Sequence, residues 1–116
     1  MSPFSTCFHD LRRRHGVSQK DLANKIDCKQ VYISQIECGK KPPSAEFISK
    51  LIAGLNLDAV EQVALRQSAE DSQRKYVLPS NASAEVSRMV SKLWREIENL
   101  NPSQIRIITE TLQVRD

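Results

Sequence analysis

SQKDLANKIDCKQVYISQIECGKKPPS, Ser18–Ser44, is the stretch that decides the fold. Ser18 is a side-chain cap for a helix that begins at Gln19, and Asp21 completes a capping-box-like pair three residues on. Leu22, Ala23 and Ile26 share one face of that helix. Asp27-Cys28 breaks it. A second short helix, predicted over about 30–38, buries only Ile33 and Ile36, and Gly39 stops it. Two helices joined by so brief a turn cannot lie antiparallel. They cross at roughly 90–120°, and the second projects outward. Lys40-Lys41-Pro42-Pro43 follows as a rigid basic connection, and Ser44 caps the next helix.

The same rules extend the reading in both directions. Upstream, Ser2 as cap and Pro3 at the first helical position open a helix with the stripe Phe4, Cys7, Phe8 and Leu11, ending near His15-Gly16. Downstream, the fourth helix carries Phe47, Ile48, Leu51, Ile52 and Leu55. Asp58 with Glu61 caps a fifth, for which Val60, Val63, Ala64 and Leu65 are the expected apolar face, with fraying through Ser68–Lys75. Tyr76–Pro79 reads as extended, because a residue before proline disfavours helix. Ser80–Ser83 reads as a short linker. Val86, Val90, Leu93, Ile97 and Leu100 then alternate steps of four and three, a heptad seam that Met89 and Trp94 widen. Asn101 caps, and Pro102 opens, a last helix with Ile105, Ile108 and Leu112. No strand-forming alternation is present. The expected fold is all-α: a five-helix domain over 1–75 and a helical hairpin over 80–116.

Charge is unevenly placed. Residues 1–57 hold nine Lys/Arg against five Asp/Glu, a balance of +4, and residues 58–116 hold eight against nine, a balance of −1. The basic half is the one expected to meet an anionic partner. Arg12-Arg13-Arg14 reads mainly as a solvated helix face, with at most one of Arg13 and Arg14 touching that partner. On the outward face of the third helix stand Gln30, Val31, Ser34 and Gln35, all uncharged. A helix kept merely soluble more often shows Glu and Lys there. An amide donates and accepts at once, which is what the major-groove edge of adenine requires.

Three cysteines, Cys7, Cys28 and Cys38, without CxxC spacing argue against a disulfide framework and against a zinc site. Cys7 reads as a core thiol and His9 as a surface residue. No signal-peptide pattern and no apolar run near the roughly 20 residues of a membrane span are present. The expectation is a soluble, cytoplasmic protein without metal or cofactor. No nucleophile arrangement is evident, so no enzyme is expected.

The stretch LRRRHGVSQKDLANKIDCKQVYISQIECGKKPPS, Leu11–Ser44, resembles the phage-repressor-like, or Xre, helix-turn-helix family. Matching positions include Leu11-Arg12, Gly16, Ser18-Gln19, Leu22-Ala23, Ile33-Ser34, Ile36-Glu37, Gly39-Lys40 and Pro43-Ser44, and the likeness runs through the fourth helix to Leu57. The resemblance implies a five-helix repressor-like domain that places its third helix in the major groove of double-stranded DNA, usually as a dimer. It implies base contacts from Gln30, Val31, Ser34 and Gln35. It implies backbone contacts from Gln19, Lys29, Tyr32, Lys40, Lys41 and Ser44, with Gln19 also bracing Gln30. Arg12 and Glu37 match a structural pair between the first and third helices. Asp27 stands where the family usually has Gly, and Lys29 where it has a Ser or Thr cap. The hairpin lies outside the resemblance. Its seam, Val86, Val90, Leu93, Trp94, Ile97 and Leu100, is read as a dimerisation element. The function implied is that of a repressor acting as a homodimer on a palindromic operator. Two alternatives stand beside it: an antitoxin-type regulator whose C-terminal helices bind a toxin partner, and a protein-interaction module without DNA binding.

Overall fold

The computed structural model describes residues 2–115, and over them the chain is helical with no strand. Seven α-helices run in order: α1 Pro3–Arg14, α2 Gln19–Lys25, α3 Gln30–Glu37, α4 Ala45–Gly54, α5 Ala59–Asp71, α6 Ala84–Glu96 and α7 Pro102–Gln113. The chain divides into two compact units between Tyr76 and Val77.

Side-chain caps set most of the helix starts. Ser2, Ser18, Ser44, Asp58, Ser83 and Asn101 each accept a backbone N–H from three residues on. Each such cap is worth about 1 kcal/mol against alanine. α3 is the exception: Lys29 precedes it in extended backbone and makes no side-chain cap bond. The turn before it depends on Asp27, whose φ of 53° is left-handed. Asp tolerates that region better than most residues, so the turn forms without glycine. Cys28 N–H then closes it onto the Ala23 carbonyl at 2.9 Å.

The first unit is built on one core of Phe4, Phe8, Leu11, Leu22, Ile33, Ile36, Phe47, Leu51 and Leu65, with smaller residues around it. Phe8 sits at its centre, offset-stacked on Phe4 at 6.1 Å and edge-on to Phe47 at 5.6 Å. Such pairs add about 0.5–1.5 kcal/mol beyond the burial itself. Gly54 allows α4 to pass close to α2: a Cβ there would meet Ile26 Cγ2 at 2.5 Å.

α5 departs from the sequence reading in phase and in length. Val60 and Val63 face solvent, 78% and 69% exposed, whereas Leu65 is fully buried and Ser68 nearly so. The face of α5 that meets α1 is therefore the Leu65–Ser68 face. The helix does not fray at Ser68 but continues to Asp71. Its polar residues are bonded rather than solvated: Ser68 Oγ donates to the Leu65 carbonyl at 2.7 Å, and Ser72 Oγ to that of Ser68 at 2.7 Å. Ser72 Oγ also accepts the Phe4 N–H at 2.8 Å, tying the end of α5 to the start of α1.

Among the described residues, the second unit contains none that is buried. Its seam is not one continuous α-helix as far as Leu100. α6 ends at Glu96, and Ile97–Asn99 form a single 3₁₀ turn. Leu100 is extended, as the residue before the Asn101 cap of α7. A tightened last turn satisfies carbonyls that the α-helix leaves open, and it rotates Ile97 and Leu100 away from ideal heptad positions. Between α6 and α7 runs an apolar cleft of about 390 Å³, lined by Met89, Leu93, Leu100, Ile108 and Leu112 among others.

The phase of α5 gives an expected outcome for two neighbouring substitutions. Leu65→Ala should cost about 2–5 kcal/mol of folding stability. Val63→Ala should change it by less than about 0.5 kcal/mol. Urea unfolding of the two variants measures the difference, and the reverse order would place α5 in the other phase.

Candidate nucleic-acid interface

A carboxylate organises this region. Glu37, at the last turn of α3, is buried where α1, α2 and α3 meet. Arg12 of α1 reaches it with two bonds, Nε to Oε1 at 2.7 Å and a terminal nitrogen to Oε2 at 3.0 Å. The remaining Arg12 terminal nitrogen donates to the Val17 carbonyl at 3.0 Å, fixing the α1–α2 connection. Gln19 Nε2 donates to Glu37 Oε2 at 3.1 Å, and His9 Nδ1 stands 3.3 Å from the same oxygen. Three helices are thus pinned to one anion. Burial pushes the Glu37 carboxyl up, but the hydrogen bonds from Arg12, Gln19 and His9 outweigh it and hold the group below its ordinary value. The bond to Glu37 raises Arg12 in turn. A second tie holds α1 to α5, where His15 Nε2 lies 2.9 Å from Glu61 Oε2. The bond from His15 is also the main reason that the Glu61 carboxyl is held low.

With Ile33 and Ile36 locked inside and Glu37 tied down, α3 has one outward face. Gln30, Val31 and Ser34 are exposed on it, Val31 at 68%, and Gln35 is half-buried. Gln35 anchors the next turn, because its carbonyl accepts the N–H groups of Lys40 at 2.9 Å and Lys41 at 3.2 Å. Both lysine side chains are exposed. Lys29, at the other end of α3, is exposed too.

Three of the residues singled out in the sequence stand differently from the reading. Gln19 braces Glu37, through its amide, and not Gln30. Tyr32 is half-buried: its ring packs edge-on against Phe47 at 5.5 Å, with Lys41 Nζ 5.9 Å from its centroid. That engagement leaves less of the ring for a partner. Ser44, as its place in the sequence predicts, commits its hydroxyl to capping α4, accepting from Phe47 N–H at 3.0 Å. His9 is no isolated surface residue but a fourth member of the Glu37 network. Its spacing of three from Arg12 on α1 is the sequence signal that places both on one face. The tie of His15 to Glu61 had no local signal, since the partners are 46 residues apart.

Among the described residues no group of three or more His, Cys, Asp or Glu side chains could hold a metal ion. No described helix is long and apolar enough to cross a membrane.

A short helix, a left-handed turn and a second short helix with an exposed uncharged face together define a helix-turn-helix unit. Residues 8–62 match the helix-turn-helix family model HTH_3, which supports an Xre/Cro-type helix-turn-helix in this part of the chain. Among curated proteins, the Endothelial differentiation-related factor 1 homolog of Danio rerio is 39% identical over 46 residues, which cover 40% of this chain. Those residues span about a third, 32%, of that protein's length. No solved structure matches the chain at a significant level.

The Glu37 network gives a stability prediction with a defined pH dependence. Glu37→Ala leaves the half-buried Arg12 without its anion and should cost up to about 3–5 kcal/mol. Because the folded carboxyl lies below its ordinary 4.5, the stability it contributes is fully present above that value and is lost as pH falls through the lowered one. Glu37→Gln should therefore flatten the acid limb of a stability–pH curve. An unchanged acid limb would remove the carboxylate from the pairing.

Proposed function

We propose that the protein is a sequence-specific DNA-binding transcription regulator, a repressor that acts as a homodimer on a palindromic operator. The observation that carries the reading is the outward face of α3: free of charge, bearing the exposed amide of Gln30 and the half-buried one of Gln35, and flanked by the basic turn Lys40-Lys41. Gln30, Val31, Ser34 and Gln35 read base edges. The amides suit adenine, and Val31 suits a thymine methyl. Lys29, Lys40 and Lys41 neutralise phosphates and set register without reading sequence. Gln19, held by Glu37, and the start of α4 at Ser44 lie along the same backbone, where free helix N–H groups suit an anion. Tyr32 supports the turn and offers its remaining edge to the backbone. Occupancy of the operator excludes polymerase.

Dimerisation through residues 80–116 is supported by what the hairpin fails to do alone. Trp94 is 69% exposed, and Val86 and Ile97 are 40% and 42% exposed, while Val90, Leu93 and Leu100 are half-buried. Met89 and Trp94 flank the seam on opposite sides, so its apolar width exceeds what one neighbouring helix covers. α7 covers one edge. A second copy supplies the other neighbour and forms a four-helix arrangement around the seam. Two reading helices then stand roughly 34–36 Å apart, one turn of DNA.

Selection of bound sites from random DNA tests the central claim. At the selected site Gln30→Ala or Gln35→Ala should cost about 1–3 kcal/mol and little on random DNA; equal losses on both would take these amides out of readout. For the assembly, sedimentation of the intact protein should show a dimer, and removal of residues 80–116 a monomer with weaker operator binding. An intact monomer at micromolar concentration, with full-strength binding by the truncated form, would overturn it.

A further inference from the structure

Arg74 lies beyond the segment 8–62 that the family match covers, and the reading face of α3 gives it no role. The fold nevertheless brings it to the flank of that helix. One of its terminal nitrogens donates to the Gly39 carbonyl at 3.2 Å, across 35 residues of sequence. Gly39 ends α3 with a φ of 81°, and Lys40 and Lys41 follow at once. The turn that carries them is fixed, since both lysine N–H groups bond to Gln35. Cations from two distant segments, Lys40-Lys41 and Arg74, therefore converge on one end of α3, and a fourth, Lys75, follows Arg74 in sequence.

Among the described residues none of these four side chains makes a salt bridge. Gathered like charges repel. The negative end of the α3 dipole offsets this only in part, because its effect is confined to the last turn. A polyanion offsets it much further. The guanidinium is suited to that partner: it has five N–H donors, and the bond to Gly39 leaves most of its fork for phosphate oxygens.

We propose that Arg74 is a DNA phosphate ligand, joining Lys40 and Lys41 in one anion-binding site at the C-terminal flank of α3. This rests on the DNA-binding reading above and extends its footprint past the helix-turn-helix. The contribution is independent of base sequence. It appears in the salt dependence of affinity, whose logarithmic slope shrinks by about 0.9 for each phosphate left without its cation.

The experiment measures DNA affinity of the full-length protein against salt, on the selected site and on random DNA. Arg74→Gln keeps a polar side chain but carries no charge. It should reduce the slope by about 0.9, so that the loss of affinity between 50 and 200 mM salt shrinks about 3.5-fold, on both DNAs alike. Arg74→Lys should restore most of the slope. Arg66→Gln, which removes an exposed charge from α5, should leave it unchanged. A wild-type slope in Arg74→Gln would overturn the proposal and make Arg74 a cap of α3 alone. Equal losses in the Arg66 and Arg74 variants would overturn it too, as an effect of net charge. Thermal unfolding of each variant separates these outcomes from loss of fold. Wild-type protein that binds no DNA would instead overturn the regulator reading, and this proposal with it.

Discussion

The carboxylate of Glu37 is the constraint on which the rest of the first unit depends. It is one negative charge buried among three short helices, two of which, α2 and α3, have only seven and eight residues. Helices so short are not stable by propensity. They persist because packing holds them, and the charge makes that packing specific. An apolar contact tolerates sliding. A bidentate bond from Arg12, a bond from Gln19 and an approach by His9 do not. The result is a fixed angle between α2 and α3 where the connecting turn alone would leave freedom.

Fixing that angle decides which residues of α3 face outward. Ile33 and Ile36 are committed to the core, so Gln30, Val31 and Ser34 are presented as a rigid set. Rigidity matters because base readout tolerates little misplacement, and every side chain ordered on binding costs free energy. The basic turn is fixed by the same helix, through the Gln35 carbonyl. The outward face of α3 and the basic turn thus share one support. The second unit follows a different rule: with none of its described residues buried, its two helices have an apolar face and no enclosed core.

Where local chemistry decides, the sequence was legible. The caps Ser2, Ser18, Ser44, Asp58 and Asn101 mark helix starts because the bonded partner is three residues away. The apolar spacing of α1 and α4 marked their buried faces. The break between α2 and α3 at Asp27-Cys28 was legible locally, whereas the Arg12–Glu37 pair came from the family resemblance, since its partners are 25 residues apart. What failed was phase within a mixed helix. In α5 the apolar Val60 and Val63 face outward while Ser68 is buried, because the helix is positioned by Leu65 and by serine bonds to its own backbone and to α1. Polar residues satisfied in this way look like loop in a hydropathy pattern. The approach of Arg74 to Gly39 and of His15 to Glu61 depends on tertiary closure, which no local spacing encodes.

The bond between Ser72 and Phe4 has a consequence for the order in which the molecule is made. Its partners are 68 residues apart, and α1 packs chiefly on α5, the last helix of its unit. At a synthesis rate of about 5–20 residues per second, α1 waits roughly 3–14 s for that partner to be translated. Helices form in microseconds, so α1 to α4 have ample time to coil and collide before α5 leaves the ribosome. Throughout this interval α1 lacks the helix that will cover its α5-facing side. The unit cannot be completed before α5 is made, and its earliest helix is the one left longest without its final neighbour.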